Sequence, residues 1–296
     1  MRRERNWGLL FLAPWILGFL LFYAIPMVAS LAFSFMRFNL VDPGASSFAG
    51  LTNWRRMLTD PQVHRSLFVT GRFLLIAVPV QISLAIGLAV LLNAKHLFGR
   101  NIFRTLFYMP VMVPVVAGTL IWSGVLNTQS GWINRSLEAL GIPGPGWFND
   151  GRWVVPGLTI MGIWGVGNAM LIFLAGLQGV PTELYEAATV DGAGPMYSFF
   201  RITLPMISPV IFYNLVLALI GAFQYFLPTF VLYNGNPGPD NAGLFYMLNL
   251  YKEAFVYFDM GYASALAWGL FLVALVTTIA LFRSAKYWVY YAGGEH

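Results

Sequence analysis

Six long apolar segments dominate the pattern of hydrophobic and polar positions along the chain. A membrane-spanning helix needs about 20 predominantly apolar residues, and each segment reaches that length without any Asp, Glu, Lys, Arg or His. The predicted spans are residues 9–34, 73–92, 105–126, 154–177, 207–229 and 262–282. The pattern therefore predicts an all-α integral membrane protein whose two termini lie on the same side of the membrane, because the number of spans is even.

The amino-acid composition agrees with this interpretation. Hydrophobic residues make up 58% of the chain and charged residues 10%, whereas soluble domains carry about 25% charged residues. The first apolar segment follows Arg2, Arg3 and Arg5, as a secretion signal would. It is longer than the apolar part of a signal peptide, which has about 7–15 residues, so we interpret it as a retained helix.

Charge and histidine usage exclude several classes of protein. The 17 basic residues, with a net charge of +5, are scattered between apolar segments rather than clustered, which does not indicate nucleic-acid binding. The chain has no cysteine, hence no disulfide framework and no thiolate metal ligand. His64, His96 and His296 are far apart in sequence, so no metal site is predicted. The basic residues divide almost evenly between alternate loops, and orientation needs other support.

A polar segment at residues 181–205 interrupts the apolar pattern between the fourth and fifth predicted spans. Its chemistry predicts two short helices separated by a turn. Gly192 supplies a C-terminal stop for the first helix. Gly194 then caps the second helix, which begins at Pro195 and is expected to end before Pro205.

The first of these two helices is acidic, with Thr182 as its predicted N-cap. Glu183 and Glu186 favour the positive end of the helix dipole. One interpretation is an amphipathic helix lying on the membrane surface. Anionic headgroups would repel the two acids, however, and Ala187 and Ala188 allow close approach of another surface. A protein partner therefore fits this segment better.

Three short motifs in this segment carry a family resemblance. Glu-Ala-Ala at 186–188, Asp-Gly-Ala-Gly at 191–194 and Ile-x-Leu-Pro at 202–205 resemble the "EAA" loop in permease subunits of binding-protein-dependent ABC importers. The resemblance implies that this loop is cytoplasmic and docks into a cleft of an ATPase subunit. The residues it assigns to the ATPase-coupling loop are Glu183, Glu186, Ala187, Ala188, Asp191, Gly192, Gly194, Leu204 and Pro205.

Further motifs resemble the carbohydrate branch of that family, the maltose and glycerol-phosphate importer type. They are "FAGLTNWRRMLTDP" (48–61), "FRTLFYMPVMVPVVAGTLIW" (103–122), "YNGNPG" (233–238) and "MGYASALAW" (260–268). The third departs from the commoner Thr-x-Gly-Gly-Pro form. The resemblance implies that residues 1–296 form a single transmembrane domain for uptake of a sugar or polyol-like solute.

The resemblance also implies a set of partners and a location. The partners are a second, related permease subunit, two copies of an ABC ATPase, an extracytoplasmic solute-binding protein and membrane lipid. The expected location is a bacterial-type plasma (inner) membrane, with a multi-pass topology and both termini cytoplasmic.

The chain itself lacks the residues that would bind ATP. A phosphate-binding loop needs a Gly-Lys-Ser/Thr sequence, and Lys95, Lys252 and Lys286 stand in none. We therefore predict that the chain is not an enzyme and that the partner ATPase binds ATP and Mg. The alternative is an ion-coupled secondary transporter. Such proteins usually keep an ionisable group at membrane depth, which the six apolar cores lack, although Na⁺ binding by backbone and hydroxyl oxygens stays open.

A few polar and aromatic residues within the spans are candidates for the solute pathway. Asn214 and Gln224 are ten residues apart on the fifth span, about 80° short of three full helical turns, and could border one pathway. The alternative for each amide, and the favoured one for Gln81, is an interhelical hydrogen bond. Close helix approach is the alternative for the glycine-rich "GIWGVGN" at 162–168. The predicted pathway residues are Trp164, Asn168, Asn214, Gln224 and Tyr225.

Overall fold

The computed structural model describes residues 2–38, 44, 46–94 and 97–290, with the backbone alone for residues 2–10. The described chain is mostly helical. The α-helices are α1 (Arg2–Phe19), α2 (Ile25–Ser34), α3 (Thr52–Thr59), α4 (Pro61–Asn93), α5 (Arg100–Tyr108), α6 (Val115–Val125), α7 (Trp132–Ala139), α8 (Val154–Ile163), α9 (Gly167–Gln178), α10 (Thr182–Val190), α11 (Pro195–Ser198), α12 (Leu204–Met206), α13 (Ser208–Phe223), α14 (Leu227–Tyr233), α15 (Tyr246–Phe255) and α16 (Met260–Trp288).

Four helical segments among the described residues are long and apolar enough to cross a membrane. They are Phe11–Ser34, Pro61–Asn93, Ser208–Tyr233 and Met260–Trp288. Two bent helix pairs, Arg100–Met112 with Val115–Val125 and Val154–Ile163 with Gly167–Gln178, bring the number to six if each pair is one span. All four continuous segments and both pairs fall on the predicted spans.

The two bent pairs have identifiable causes in the sequence. The α5–α6 pair turns through 104° at Val113 and Pro114. The ψ angle of Pro114 is 139°, an extended value that ends the helical geometry. Proline lacks the N–H that a continuous helix would use at this position. The α8–α9 pair turns through 54° within the Trp164–Val166 segment. The sequence predicted each pair as one span and did not predict these breaks.

The described residues also include a small β-ribbon, which the expectation of an all-α protein did not contain. Residues Met36–Arg37 (β1) pair antiparallel with Ser47–Phe48 (β2), with Met36 opposite Phe48. The sequence between the two strands carries Pro and Gly, which favour chain reversal over helix. The ribbon is two residues long on each side, so the helical class stands.

The chain divides into two compact units. The first comprises the described residues of Met1–Val63 and Asn249–Leu272, and the second those of His64–Leu248 and Val273–His296. In the first unit, Asn53 of α3 donates to the carbonyls of Ser34 (3.0 Å) and Met36 (2.9 Å). Gly261 is required nearby, because a Cβ there would meet the Met36 carbonyl and the Asn53 side chain.

A charged network also holds the first unit together. The Arg56 guanidinium donates to Asp259 at 2.7 Å and to Glu253 at 3.4 Å. It also lies 3.6 Å from the centre of the Tyr262 ring, and the Tyr262 hydroxyl donates to Asp60 at 2.8 Å. Arg56 is thus the one cation among three carboxylates in this network. Burial raises the pKa of Glu253, and the positive charge of Arg56 partly offsets that rise.

The second unit contains two apolar cores. One packs α4 and α8 around Phe73, Val155 and Leu158. The other packs the C-terminal half of α4 against α9 around Ala85 and Phe173. The loop beside the first core is closed by a hydrogen-bonded tryptophan. The Trp147 indole donates to Asn134 at 2.7 Å, and Asn134 donates to the carbonyls of Thr128 and Pro145, both at 3.0 Å.

Replacing Arg56 should destabilise the protein more at neutral than at mildly acidic pH. We expect Arg56→Gln to cost about 1–2 kcal/mol at neutral pH, less than a fully buried pair because its side chain is 45% exposed. Without Arg56 the pKa of Glu253 rises further. A carboxyl with a raised folded-state pKa stabilises the fold below its unfolded pKa and loses that contribution as pH rises through the folded value. Thermal unfolding of the purified protein at the two pH values measures the effect.

The neighbouring Arg55→Gln makes the same charge change at an exposed position and serves as the control. It should leave the unfolding temperature unchanged at both pH values. An equal loss of stability for Arg56→Gln at both pH values would show that the carboxylates do not respond to Arg56.

Candidate functional site

The polar segment 181–205 forms a compact loop that begins with α10. Its predicted N-cap is wrong by one residue: Pro181 occupies the N-cap position, with φ −57° and ψ 130°, and Thr182 is already helical. The fixed φ of proline suits the extended entry into a helix, which leaves no capping role for the Thr182 hydroxyl. Glu183 lies in the first turn, as predicted, where an acid is favoured by the helix dipole.

The turn at Gly192 ends α10 as predicted. Gly192 has φ +77°, a left-handed conformation that costs glycine little and other residues more. The Ala193 amide donates to the Ala188 carbonyl at 2.8 Å, and the Gly192 amide donates to the Thr189 carbonyl at 3.0 Å. This pair of bonds is the Schellman motif. It satisfies the last carbonyls of α10 and reverses the chain.

The second helix begins as predicted but does not end as predicted. Gly194 takes the N-cap position of α11 and Pro195 is its first residue. The helical run then continues through a π-helical turn, Phe199–Thr203, into α12, which contains Pro205. A proline ring normally clashes with the carbonyl four residues earlier. The Leu204 amide donates five residues back, to Phe199, and this wider turn accommodates Pro205.

Tyr185 fastens the loop to the rest of its unit. Its hydroxyl lies 3.0 Å from the Thr203 hydroxyl, which links α10 to the π-helical turn. Its ring packs on the core that contains Phe173 and Ile207. The partly buried side chains of Phe199 and Leu204 pack on the same core. The loop is therefore folded and anchored from one side.

The opposite side of the loop is an exposed surface of acidic and apolar groups. Among the residues that the resemblance assigns, Ala188 and Leu204 are half-buried, and the others are exposed. Val190 is 88% exposed, at the end of α10. The exposed large apolar side chains of this surface are Leu184, Val190, Met196, Tyr197 and Phe200. We call these five, with Glu183, Glu186 and Asp191, the loop's outer surface.

A cleft of about 820 Å³ lies behind the loop. Asn93 and Ala94, at the end of α4, form one wall, and Tyr185, Thr189 and Ser198 form another. The loop therefore rests on the core through Tyr185, Phe199 and Leu204, with open space beside Tyr185. This arrangement suits a segment that transmits a displacement.

The predicted pathway residues of the fifth span take two different environments. Asn214 is 6% exposed, and its amide donates to the Val210 carbonyl of its own helix at 2.9 Å. Gln224 is exposed, at the C-cap of α13. The structure thus gives Asn214 an intrahelical partner. Both residues stay predictions as pathway residues.

Of the other three predicted pathway residues, two pack against aromatic rings and one is exposed. The Tyr225 ring lies 4.3 Å from that of Phe73 and 4.9 Å from that of Phe245, and its buried hydroxyl has no partner among the described residues. Trp164 is half-buried and packs edge-on against Trp122 at 6.2 Å. Asn168 is exposed on α9. Their role in a pathway stays a prediction.

The glycine-rich break between α8 and α9 allows close packing, which was the alternative interpretation of "GIWGVGN". A Cβ at Gly162 would overlap the Gln81 side chain of α4, and one at Gly167 would overlap the Phe107 carbonyl of α5. Gln81 thus lies against α8, and its interhelical hydrogen bond stays a prediction. Sequence reasoning missed Trp122, whose buried indole N–H also has no partner among the described residues. Its position within an apolar span gave no distinguishing signal.

A family model matches most of the chain. Residues 81–290 match the family described as "Binding-protein-dependent transport system inner membrane component". The match includes the polar loop, α13 and all of α16. The protein therefore belongs to this family and is a multi-pass inner-membrane permease of the ABC transporter class.

Individual relatives extend the match over the whole length. The chain is similar to the probable ABC transporter permease protein YesP of Bacillus subtilis (strain 168), with 40% identity over 100% of this chain and 95% of YesP. It is similar to the arabinooligosaccharides transport system permease protein AraP of the same organism, with 35% identity over 91% of this chain and 85% of AraP.

A solved structure supports the fold alone. It is the bacterial alginate ABC transporter in complex with its alginate pentasaccharide-bound periplasmic protein. One of its chains has a TM-score of 0.78 and 24% sequence identity, covering 96% of this chain and 95% of that one.

The turn at Gly192 can be tested against a neighbouring glycine. Gly192→Val should open the two bonds of the Schellman motif, because valine at φ +77° is strained. We expect faster hydrogen exchange of the Gly192 and Ala193 amide positions, measured by mass spectrometry on peptides from 181–205. The control is Gly194→Val, because Gly194 has φ −76° and a Cβ there meets nothing within 4 Å. Equal exchange in both variants would refute the conformational requirement.

Proposed function

We propose that this chain is one of two related permease subunits in an ATP-driven importer for a sugar or polyol-like solute. The chain supplies six membrane spans and part of the solute pathway. A separate ATPase binds ATP and Mg and contacts the outer surface of the 181–205 loop. The observation that carries the proposal is this folded loop, anchored by Tyr185, in a member of the binding-protein-dependent permease family.

The chemistry of the loop supports contact with a protein. Its outer surface combines three acids with five exposed apolar side chains. A large apolar side chain such as Val190, 88% exposed on a short helix, gains stability by burial against a partner. The acids, by contrast, would be repelled by a membrane surface rich in anionic lipid. A basic cleft on a protein satisfies both requirements.

The relatives support the proposed solute class. AraP is the permease of an arabinooligosaccharide transport system, and the solved neighbour imports alginate. In this chain the spans offer aromatic and amide side chains, which suit sugars because rings contact their apolar faces and amides bond their hydroxyls. Trp164, Asn168, Asn214, Gln224 and Tyr225 remain the proposed pathway residues.

The same relatives support a solute-binding partner, and the proposed ATPase contact sets the proposed orientation. The solved neighbour is a complex with a periplasmic protein that carries an alginate pentasaccharide, which supports an extracytoplasmic solute-binding protein for this chain. The ATPase lies in the cytoplasm, so the loop and both termini are assigned to the cytoplasmic side. Two ATPase copies and a second permease complete the proposed assembly.

The loop geometry suggests how ATP binding would act on the spans. The proposed ATPase dimer closes when it binds ATP and moves the loops of the two permeases towards each other. Because Tyr185 joins α10 to Thr203 at the base of the fifth span, a displacement of α10 is passed to α13. The spans then open outward to accept solute, and hydrolysis resets them. An ion-coupled mechanism is disfavoured by the family membership.

Reversing one charge on the outer surface should disrupt the contact with the ATPase. Glu186→Lys should weaken ATPase binding, by about 2–5 kcal/mol if the carboxylate pairs with a desolvated basic group. Uptake should fall with it, while the permease still inserts. Co-purification of the ATPase and solute-stimulated hydrolysis in reconstituted membranes measure the effect.

Glu138→Lys provides a matched control. Glu138 is exposed on α7, in the loop between the third and fourth predicted spans, which the proposal places outside the cell. This variant should retain ATPase binding, stimulation and uptake. Full ATPase binding and uptake by Glu186→Lys would overturn the coupling role and favour the membrane-surface interpretation of α10.

A further inference from the structure

The short helix α3 in the first unit has one face held by hydrogen bonds and another face exposed. Asn53 is 7% exposed and donates to the carbonyls of Ser34 and Met36. The Trp54 indole donates to the Ser34 hydroxyl at 3.2 Å. Ser34 is the last residue of the membrane-crossing segment Phe11–Ser34. These bonds therefore hold α3 at the end of the first span.

The exposed face of α3 is an apolar stripe that contains one cation. Leu51, at the N-cap position, is 56% exposed, and Leu58 is 68% exposed. The two leucines are seven residues apart, about two helical turns, so they lie on the same face. Arg55 falls between them on that face and is exposed as well. Exposed leucine and arginine side chains on a short helix are typical of helices that lie in a membrane interface.

A second apolar patch lies just before the last span. Phe255, Val256, Tyr257 and Phe258 are consecutive residues, and each is between 42% and 57% exposed. Residues 260–282 of α16 carry no charge and cover about 34 Å of helix, whereas the hydrocarbon core of a bilayer is about 30 Å thick. The start of α16 therefore reaches the headgroup layer, and residues 255–258 lie at that depth.

The charged network of the first unit joins the two patches. Arg56 of α3 donates to Asp259 and Glu253, which flank the second patch, and Tyr262 of α16 donates to Asp60. Each of these three acids is thus engaged by Arg56 or Tyr262. The cations beside the apolar side chains are Arg55 on α3 and Lys252, whose Nζ lies 5.9 Å from the centre of the Tyr257 ring. The outer surface of the 181–205 loop differs, because its acids are exposed.

The backbone at Phe258 is strained. Its φ is +57°, a left-handed conformation that glycine usually takes at the end of a helix and that is unusual for a bulky residue. The Asp259 amide donates to the Glu253 carbonyl at 2.9 Å, which closes the end of α15 through this conformation. Strained residues concentrate at functional positions. A strained residue with an exposed ring therefore points to a contact outside the chain.

We propose that the two patches form one membrane-anchoring surface, which lies in the headgroup layer with Leu51, Leu58, Phe255 and Phe258 inserted towards the acyl chains. Arg55 extends from the same face to the phosphates, as basic side chains do at this depth. A lipid surface fits better than a soluble protein, because the patches lie at the ends of two spans and the cations beside them suit anionic headgroups. This role rests on the proposed function only for the leaflet, which the proposed orientation makes the outer one.

Spin-label accessibility in reconstituted vesicles tests this surface. The chain has no cysteine, so Leu58→Cys and Phe255→Cys can each carry a single nitroxide label in the purified full-length protein. The protein is placed in phosphatidylcholine vesicles with two relaxation probes, oxygen, which partitions into lipid, and a water-soluble nickel chelate. We expect both labels to collide with oxygen severalfold more often than with the chelate, because they lie below the phosphates. Leu51→Cys and Val256→Cys test the same two patches if either first variant does not fold.

Two exposed positions calibrate the ratio of oxygen to chelate collisions. Phe271→Cys, 44% exposed and about 16 Å along α16 from its start, lies near the bilayer centre and should give the highest ratio. Gln129→Cys, exposed in the loop after α6, should give the lowest. Ratios between these two at Leu58 and Phe255 support the membrane-anchoring surface.

A ratio at either test position equal to that at Gln129 would overturn the proposal and leave the surface available to a soluble protein. Few collisions with both probes at either position would show a protein contact and overturn it as well. The vesicles contain neither ATPase nor solute. The result therefore does not depend on the coupling role of the 181–205 loop, and the two proposals fail separately.

Discussion

The bond between Tyr185 and Thr203, 3.0 Å long between their hydroxyl oxygens, is the contact on which the arrangement of the loop depends. It fastens a helix with an acidic surface to a core of apolar side chains. The Tyr185 ring supplies apolar contact area and its hydroxyl supplies a hydrogen bond, a combination that suits the boundary between an apolar and a wet environment. With that side fixed, Glu183, Glu186 and Val190 all remain exposed. A largely apolar membrane protein can therefore present a polar, partner-binding surface while its own core stays folded.

Prolines and glycines account for the irregular parts of the spans. The 104° break near Pro114 and the π-helical turn before Pro205 both change local helix geometry where a regular α-helix would clash or lose a bond. Gly162 and Gly167 let neighbouring helices approach closely around the second break. The irregular segments therefore have steric explanations in the residues that form them.

Much of this could be predicted from local sequence. The apolar lengths located the spans, and Gly192, Gly194 and Pro195 gave the turn of the loop, because a positive φ, a cap and a first-turn proline are local requirements. The end of the second loop helix was wrong, since the π-helical turn that accommodates Pro205 depends on how the chain continues into α13. The Tyr185–Thr203 bond, the breaks of the third and fourth spans and the Arg56 network join residues far apart or depend on packing. No periodic pattern predicts such contacts.

Site-specific cross-linking from Val190 would test the central claim most directly, because this side chain is 88% exposed on the outer surface of the loop. A photoreactive amino acid at position 190 is irradiated in membranes that contain the assembled transporter. The same substitution at exposed Asn236, in the loop after α14, provides the comparison. The account predicts a covalent adduct between position 190 and the ATPase subunit, and none from position 236. Adducts of position 190 with lipid alone, in a complex that retains its ATPase, would contradict it.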